Sequence, residues 1–295
     1  MIAAFIEALR PKQWTKNLLL FAGLLFSQQF DHPDYALRAI AGFFAFSLIA
    51  GSVYVINDLR DLAGDRVHPK KRSRPLASGR LPAGVARAGL VPLLIAGGSL
   101  AWWLGPGFAL VTAVYLALNL VYSYWLKRQV LIDVFVVALG FVLRAIAGVQ
   151  LLLPVSPDTA LSPWLLVCTF FGALFLGLAK RRREMSNAEG DAARQREVLN
   201  RYSPQVLDML LSAGAASSVM SYALYTIWPG TVAKFGSEAM LYTVPFVAYG
   251  IFRYLHLGHV SESAEDPSQV LLPDRPIRAT VVLYLIAVVV ILYVR

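Results

Sequence analysis

The sequence predicts an all-α integral membrane protein, a bundle of nine transmembrane helices. Three observations carry this. Hydrophobic residues make up 57% of the chain and charged residues only 15%, against roughly 45–50% and 25% in soluble domains. Apolar stretches recur at the length of about 20 residues that a helix needs to cross a bilayer. Between them, Lys and Arg collect on alternate loops. The chain shows no long polar linker and no low-complexity tract, so residues 1–295 read as a single transmembrane domain.

The amino-terminal stretch MIAAFIEALRPKQWTKN places Ile2, Phe5, Ile6 and Leu9 on one face of a short helix, which Pro11 ends. Trp14 suits the headgroup level. This is an interfacial helix leading into the first span rather than a signal peptide, because its basic residues follow the apolar run and no cleavage pattern appears. The spans fall at about residues 15–30, 36–57, 83–104, 107–126, 131–153, 163–180, 205–228, 239–257 and 277–294. The first ends in SQQF and is the least clearly marked. Only GPG separates the third from the fourth, which forces a tight hairpin.

Orientation follows from the cations. One side holds Arg10, Lys12 and Lys16, the run from Arg60 to Arg87, Lys127 and Arg128, the run from Lys180 to Arg201, and Arg253, Arg275 and Arg278. The other holds Arg38, Lys234 and Arg295. The positive-inside rule then places the N-terminus and the charged loops in the cytoplasm of a cell that carries the protein in its (inner) membrane. A net charge of +9 at this location faces anionic headgroups or anionic substrates; nucleic acid is not among the expected partners. Cys168 is the only cysteine, which excludes a disulfide within the chain and a Cys-based metal site. His256 and His259 stand three apart and lack a third ligand.

The stretch NDLRDLAGD closes the second span. Its Asn57, Asp58, Asp61 and Asp65 have helical spacings and read as one face. Hard oxygen ligands of this kind suit Mg²⁺, which keeps several waters and binds through few carboxylates plus substrate phosphates. The competing reading is a solvated helix end neutralised by Arg60 and Arg66. The following HPKKRSRPLASG, with two prolines and a glycine, is expected to be a fixed, non-helical loop whose Lys70, Arg72 and Arg74 hold phosphate oxygens. A plain topology signal is the alternative there.

Inside the fifth span, Asp133 and Arg144 lie eleven positions apart, close to three turns, and so face the same way. An arginine this deep must face protein or a wet cavity. It is a candidate phosphate contact, and a structural ion pair or a carbonyl-capping arginine is the alternative. Tyr122, Ser123 and Tyr124 end the fourth span as an aromatic belt, with Tyr122 a candidate substrate contact. Lys16 and Asn17, at the start of span one, present a point charge and an amide to a phosphate or a ribose hydroxyl; simple snorkelling of Lys16 to the headgroups competes with that.

NDLRDLAGD followed by RPLASG resembles the UbiA superfamily of membrane prenyltransferases, whose first Asp-rich motif reads NDxxDxxxD. Nine spans with charged loops after the second and sixth are similar to that family's architecture. The resemblance implies a nine-helix bundle of the UbiA type. It also implies a diphosphate donor held through Mg²⁺, with Asp58, Asp61 and Asp65 as metal ligands and Asp58 and Asp61 as catalytic residues. The family's second DxxxD is replaced here by AKRRREMSNAEGD, where Glu184, Glu189 and Asp191 lack the usual spacing and Lys180 and Arg181 stand beside them. A basic platform binds phosphate directly. This pattern resembles the branch typified by decaprenyl-phosphate phosphoribosyltransferase. LRPKQWTKNLLLFA, DVFVVALGFVLRAIAG and EDPSQVLLPDRPIRA resemble the same branch.

That resemblance implies Mg²⁺-dependent transfer of 5-phosphoribosyl from phosphoribosyl pyrophosphate to a polyprenyl (decaprenyl) phosphate. Diphosphate is released at the cytoplasmic face, with Lys180, Arg181 and Glu184 at the substrates. The expected partners are the polyprenyl phosphate lipid, phosphoribosyl pyrophosphate and membrane lipids, with a second copy of the chain in a homo-oligomer left open. The alternative is a conventional prenyltransferase moving a prenyl group from its diphosphate to a small acceptor. A lipid or anion transporter is a further alternative, poorly served by an Asp-rich motif at a span end.

Overall fold

A backbone in hydrocarbon must satisfy its N–H and C=O groups internally, so long apolar runs become helices. The computed structural model describes residues 1–26, 33–68, 71–157, 161–186, 201–260 and 273–293, and among them it contains helices and no strand. In chain order the α-helices are α1 (Ile2–Ala8), α2 (Phe21–Phe26), α3 (Pro33–Arg60), α4 (Leu62–Val67), α5 (Ala83–Leu104), α6 (Pro106–Tyr124) and α7 (Ile132–Gln150). They continue as α8 (Pro163–Ser186), α9 (Pro204–Ile227), α10 (Pro229–Phe235), α11 (Val244–Val260) and α12 (Arg275–Tyr293). Tighter 3-10 segments occupy Pro11–Leu20, Lys71–Ser73, Leu126–Arg128 and Ala239–Thr243.

Among the described residues, seven helices are long and apolar enough to cross a membrane: α3, α5, α6, α7, α8, α9 and α12. The protein is an integral membrane protein. The expected first and eighth spans take a different form. The first begins as the 3-10 segment Pro11–Leu20 and continues into the short α2. The eighth begins as Ala239–Thr243 and continues into the 17-residue α11. A stop at Ala8 rather than at Pro11 ends α1, and Arg10 turns into the left-handed region with φ 53°.

The described residues form two compact units. The first comprises Met1–Lys127 and Gly140–Leu161, the second Arg128–Leu139 and Ser162–Arg295. In the first, α3 packs along α5 and α6 around a core that includes Phe46, Leu104, Phe108, Tyr115 and Leu151. The two phenyl-type rings of Phe46 and Tyr115 lie 4.6 Å apart. Near the opposite end of α3, Arg38 donates to the carbonyls of Leu104 and, at 3.0 Å, Leu151, satisfying acceptors that helix ends leave free. The 3-10 segment approaches α7 backbone to backbone: a Cβ on Gly148 would stand 2.2 Å from the Leu20 carbonyl oxygen. In the second unit, α8 lies along α9, and α11 packs on α9 and α12. Phe175 and Tyr254 meet edge to face at 5.5 Å.

The acidic motif does not continue as one helix. α3 ends at Arg60, Asp61 adopts φ −89° and ψ 10°, and α4 starts at Leu62. The expectation of a single carboxylate face is corrected here: Asp58 and Asp65 share Arg74, whereas Asp61, at the break, takes Lys127. The basic loop contains the short 3-10 turn Lys71–Ser73 and then folds back, with Leu81 N–H donating to Pro75 O at 2.9 Å. Lys70, Glu189, Asp191, most of EDPSQVLLPDRPIRA and Arg295 lie outside the described residues.

Candidate active site

The charged end of the first unit gathers the Asp motif, the basic loop and Arg10, two residues past α1. Asp58, in the last turn of α3, is only 2% exposed, and Asp65 on α4 is 5% exposed. Burying such carboxylates demands cations. Arg74 of the basic loop places one nitrogen, Nη1, 3.1 Å from Asp58 Oδ1 and 2.7 Å from Asp65 Oδ2. Arg10 donates from Nη2 to Asp58 Oδ1 at 2.5 Å and lies 4.9 Å from the centre of the Tyr54 ring. Asp58 and Asp65 therefore converge on one cationic atom, although α3 and α4 are separate helices.

Asp61, at the break, points elsewhere. Its side chain is 44% exposed and accepts from Lys127 Nζ at 2.9 and 2.8 Å. The same side of α3 docks on α6: Ser123 donates to Asn57 Oδ1, and Arg60 donates to Tyr124 O at 3.3 Å with its guanidinium 4.3 Å from that ring. Asn57, Arg60 and Asp61 thus meet Ser123, Tyr124 and Lys127 in order, one turn of helix against another. Tyr122 lies half-buried in the last turn of α6. Arg72 is exposed on the loop. Arg80 ties that loop to α1, donating to Glu7 at 2.7 and 2.8 Å and to Ser73 O at 2.8 Å. The hydrogen bond from Arg80, together with its charge, holds the Glu7 carboxyl below the usual carboxylate range.

Among the described residues, no three His, Cys, Asp or Glu side chains converge on a metal position. Asp61 pairs with Lys127, apart from the other two. Two of the carboxylates do converge, and they already share a single cationic nitrogen. Two carboxylates with water and phosphate oxygens completing the shell are a donor set that fits Mg²⁺.

Deeper in the first unit, Arg144 of α7 is enclosed by neutral partners. It donates to Asn17 Oδ1 at 2.8 Å, to Gly140 O at 2.8 Å and to Tyr115 Oη at 2.9 Å. Asn17 in turn donates to Ser47 Oγ at 2.9 Å. Asn17 thus lies inside the protein, whereas the adjacent Lys16 is half-buried.

In the second unit the charged end of α8 has its own network. Arg181 donates to Asp133 Oδ2 at 2.6 Å and to Glu184. Tyr202 donates to Asp133 Oδ1 at 2.9 Å and accepts from Leu131 N–H at 2.7 Å. Burial, followed by the nearby Asp133 charge, pushes the Tyr202 hydroxyl up to about 12. Lys180 is the more exposed cation, 3.9 Å from Glu184. Asp133 and Arg144 do lie three turns apart on α7, but they serve different partners in different units.

Arg10 and Lys127 contributed only to orientation in the sequence, yet they bind Asp58 and Asp61 directly. The one local signal was Arg10 before a proline, where a helix is expected to stop.

The UbiA prenyltransferase family matches residues 18–272. A decaprenyl-phosphate phosphoribosyltransferase from Mycolicibacterium smegmatis is 34% identical over 284 residues, covering 93% of this chain and 88% of that protein. A protein of the same name from Corynebacterium glutamicum is 35% identical over 298 residues, covering 98% and 86%. Among solved structures, a UbiA homolog from Archaeoglobus fulgidus bound to GPP and Mg²⁺ matches with a TM-score of 0.70 at 18% identity, covering 98% of this chain and 99% of that one, which shows a shared fold. By extent of match and by fold, this chain belongs to the UbiA prenyltransferase family.

Proposed function

We propose that the chain transfers a 5-phosphoribosyl group from phosphoribosyl pyrophosphate to a polyprenyl phosphate, decaprenyl phosphate in the first instance, with release of diphosphate. The observation that carries this is a carboxylate pair ringed by guanidiniums at a membrane helix end. It occurs in a chain whose relatives at 34–35% identity are named decaprenyl-phosphate phosphoribosyltransferase.

The reaction is a substitution at ribose C1. An oxygen of the lipid phosphate forms the new C1–O bond, and the bond to the diphosphate breaks with its electron pair leaving on the diphosphate. The lipid phosphate arrives as an anion, so no strong general base is needed. Asp58 and Asp65 would hold Mg²⁺, and Asp61 beside them draws Lys127 to the same end. When bound, the ion neutralises charge collecting on the departing diphosphate. In the first unit Arg10, Arg72, Arg74 and Lys127, with Lys70 of the basic loop, supply charge-assisted donors for phosphate oxygens, and in the second unit Lys180 supplies another. Lys16 and Tyr122 contact substrate in the first unit. Arg144 and Asn17 fix the first span from inside, and Asn57 holds α3 on α6. Arg181 positions Glu184 through the Asp133 network.

The reading includes a single functional domain over residues 1–295 and nine crossings, counting the two 3-10-led segments as the first and eighth. The charged ends face the cytoplasm, on the side where the basic residues collect.

The test is a membrane assay with Mg²⁺, polyprenyl phosphate and two differently labelled donors, phosphoribosyl pyrophosphate and a prenyl diphosphate. Label should enter the lipid from phosphoribosyl pyrophosphate. Transfer only from the prenyl donor would replace this reading with conventional prenyl transfer. Lipid movement without any product would replace it with transport.

A further inference from the structure

The charges at the Asp motif are arranged in layers. Asp58 and Asp65 are almost fully buried, whereas the Arg10 and Arg74 side chains that hold them are 28% and 30% exposed. The acids are inside and the cations outside, two against two. A bare divalent ion approaching Asp58 and Asp65 meets the guanidiniums of Arg10 and Arg74 before it meets their oxygens; Asp61, more exposed, holds Lys127 instead. Displacing the two guanidiniums would leave the ion beside two unpaired positive charges, a repulsion that persists until an anion joins them. A diphosphate is such an anion, and guanidinium forks bind phosphate oxygens as readily as carboxylates.

Arg10 is held in place for this exchange. Its backbone sits in the left-handed region at φ 53°, an uncommon conformation for a side chain other than glycine. The preceding α1 is docked closely: a Cβ on Gly89 would stand 2.5 Å from the Phe5 ring, and one on Gly51 would stand 3.2 Å from Leu9. The Glu7–Arg80 pair fastens α1 to the loop that carries Arg74. The Tyr54 ring offers the Arg10 guanidinium a face to rest on when it leaves Asp58.

We propose that Arg10 and Arg74 gate the metal position, so that a divalent ion enters together with a diphosphate and not alone. Arg10 thus acts on the ion through Asp58 and on the diphosphate directly. The inference rests on the diphosphate chemistry proposed above.

The test is equilibrium dialysis of Mn²⁺ against the purified full chain in detergent micelles, with and without inorganic diphosphate. Wild-type protein should retain Mn²⁺ more tightly with diphosphate by about tenfold or more. Arg10→Gln should bind Mn²⁺ alone more tightly than wild type and lose most of the diphosphate dependence, and Arg74→Gln should act in the same direction. Arg10→Lys should keep the dependence. Equal Mn²⁺ retention with and without diphosphate in the wild type, or none in either case, overturns the gate, and that comparison needs no variant to fold. A chain that transfers phosphoribosyl yet binds Mn²⁺ equally in both conditions loses the gate and keeps the proposed function. The expected Mn²⁺ behaviour without transfer keeps the gate and removes the function.

Discussion

Arg144 carries a charge into the apolar interior and is satisfied there by an amide, a carbonyl and a phenol. Three rings surround its guanidinium, with the centres of Tyr115, Phe141 and Phe46 at 4.7, 5.3 and 5.5 Å. Arg144→Met would keep the volume but leave the Asn17 and Tyr115 oxygens without their donor, at roughly 1–3 kcal/mol for each buried unsatisfied group. The expected result is a clear drop in melting temperature in detergent, followed by circular dichroism. Arg144→Lys should recover little, since one ammonium cannot span three directions set by a planar fork. An unchanged melting curve in Arg144→Met would show that the three bonds are dispensable. The depth of Arg144 was legible in the sequence, because an arginine inside an apolar run must find partners. Which partners it finds was not, since Asn17 lies 127 positions away.

At the scale of elements, the 3-10 segment Pro11–Leu20 is longer than such helices usually run. Its contact with α7, and that of the α2 that follows it, depends on glycine: Gly23 of α2 and Gly148 face one another, with a Gly23 Cβ falling 2.9 Å from the Gly148 carbonyl carbon. Gly148→Ala puts a methyl group into the Leu20 carbonyl and must push backbone apart, at about 1–3 kcal/mol. The expected outcome is lower thermal stability than for alanine at Gly98, where the added carbon meets open space; equal stability would remove the close contact. The Tyr202–Asp133 link has a pH signature. Its folded value of about 12 lies above the ordinary tyrosine value near 10, so its stabilisation is complete below pH ~10 and is lost as pH rises through ~12. A difference titration of wild type against Tyr202→Phe, read by tyrosinate absorbance, should show one ionisation near 12 that vanishes in the variant. An ionisation near 10 in that difference would show the hydroxyl to be solvated. The helices themselves were legible within a few residues. The break at Asp61 was not, because nothing in NDLRDLAGD forbids continuing the helix.

For the whole molecule, the ion and the fold should separate. The core of the first unit is built from side chains such as Phe46, Phe108 and Leu151, and no ion is needed to bury them. Chelation with EDTA should therefore stop turnover, and added Mg²⁺ should restore it, while the far-ultraviolet helical signal stays constant. Loss of that signal on chelation would make the ion structural. The sequence by itself determined the membrane class, most helix boundaries and the acidic motif, because each depends on composition or periodicity within a short window. Only the tertiary structure decided which cation meets which acid. Arg10 reaches Asp58 across 48 positions, Lys127 reaches Asp61 across 66, and Arg181 reaches Asp133 across 48. Packing of segments distant in the chain sets those pairings. No local pattern encodes them, because spacing along a helix tells which residues share a face and not what that face will meet.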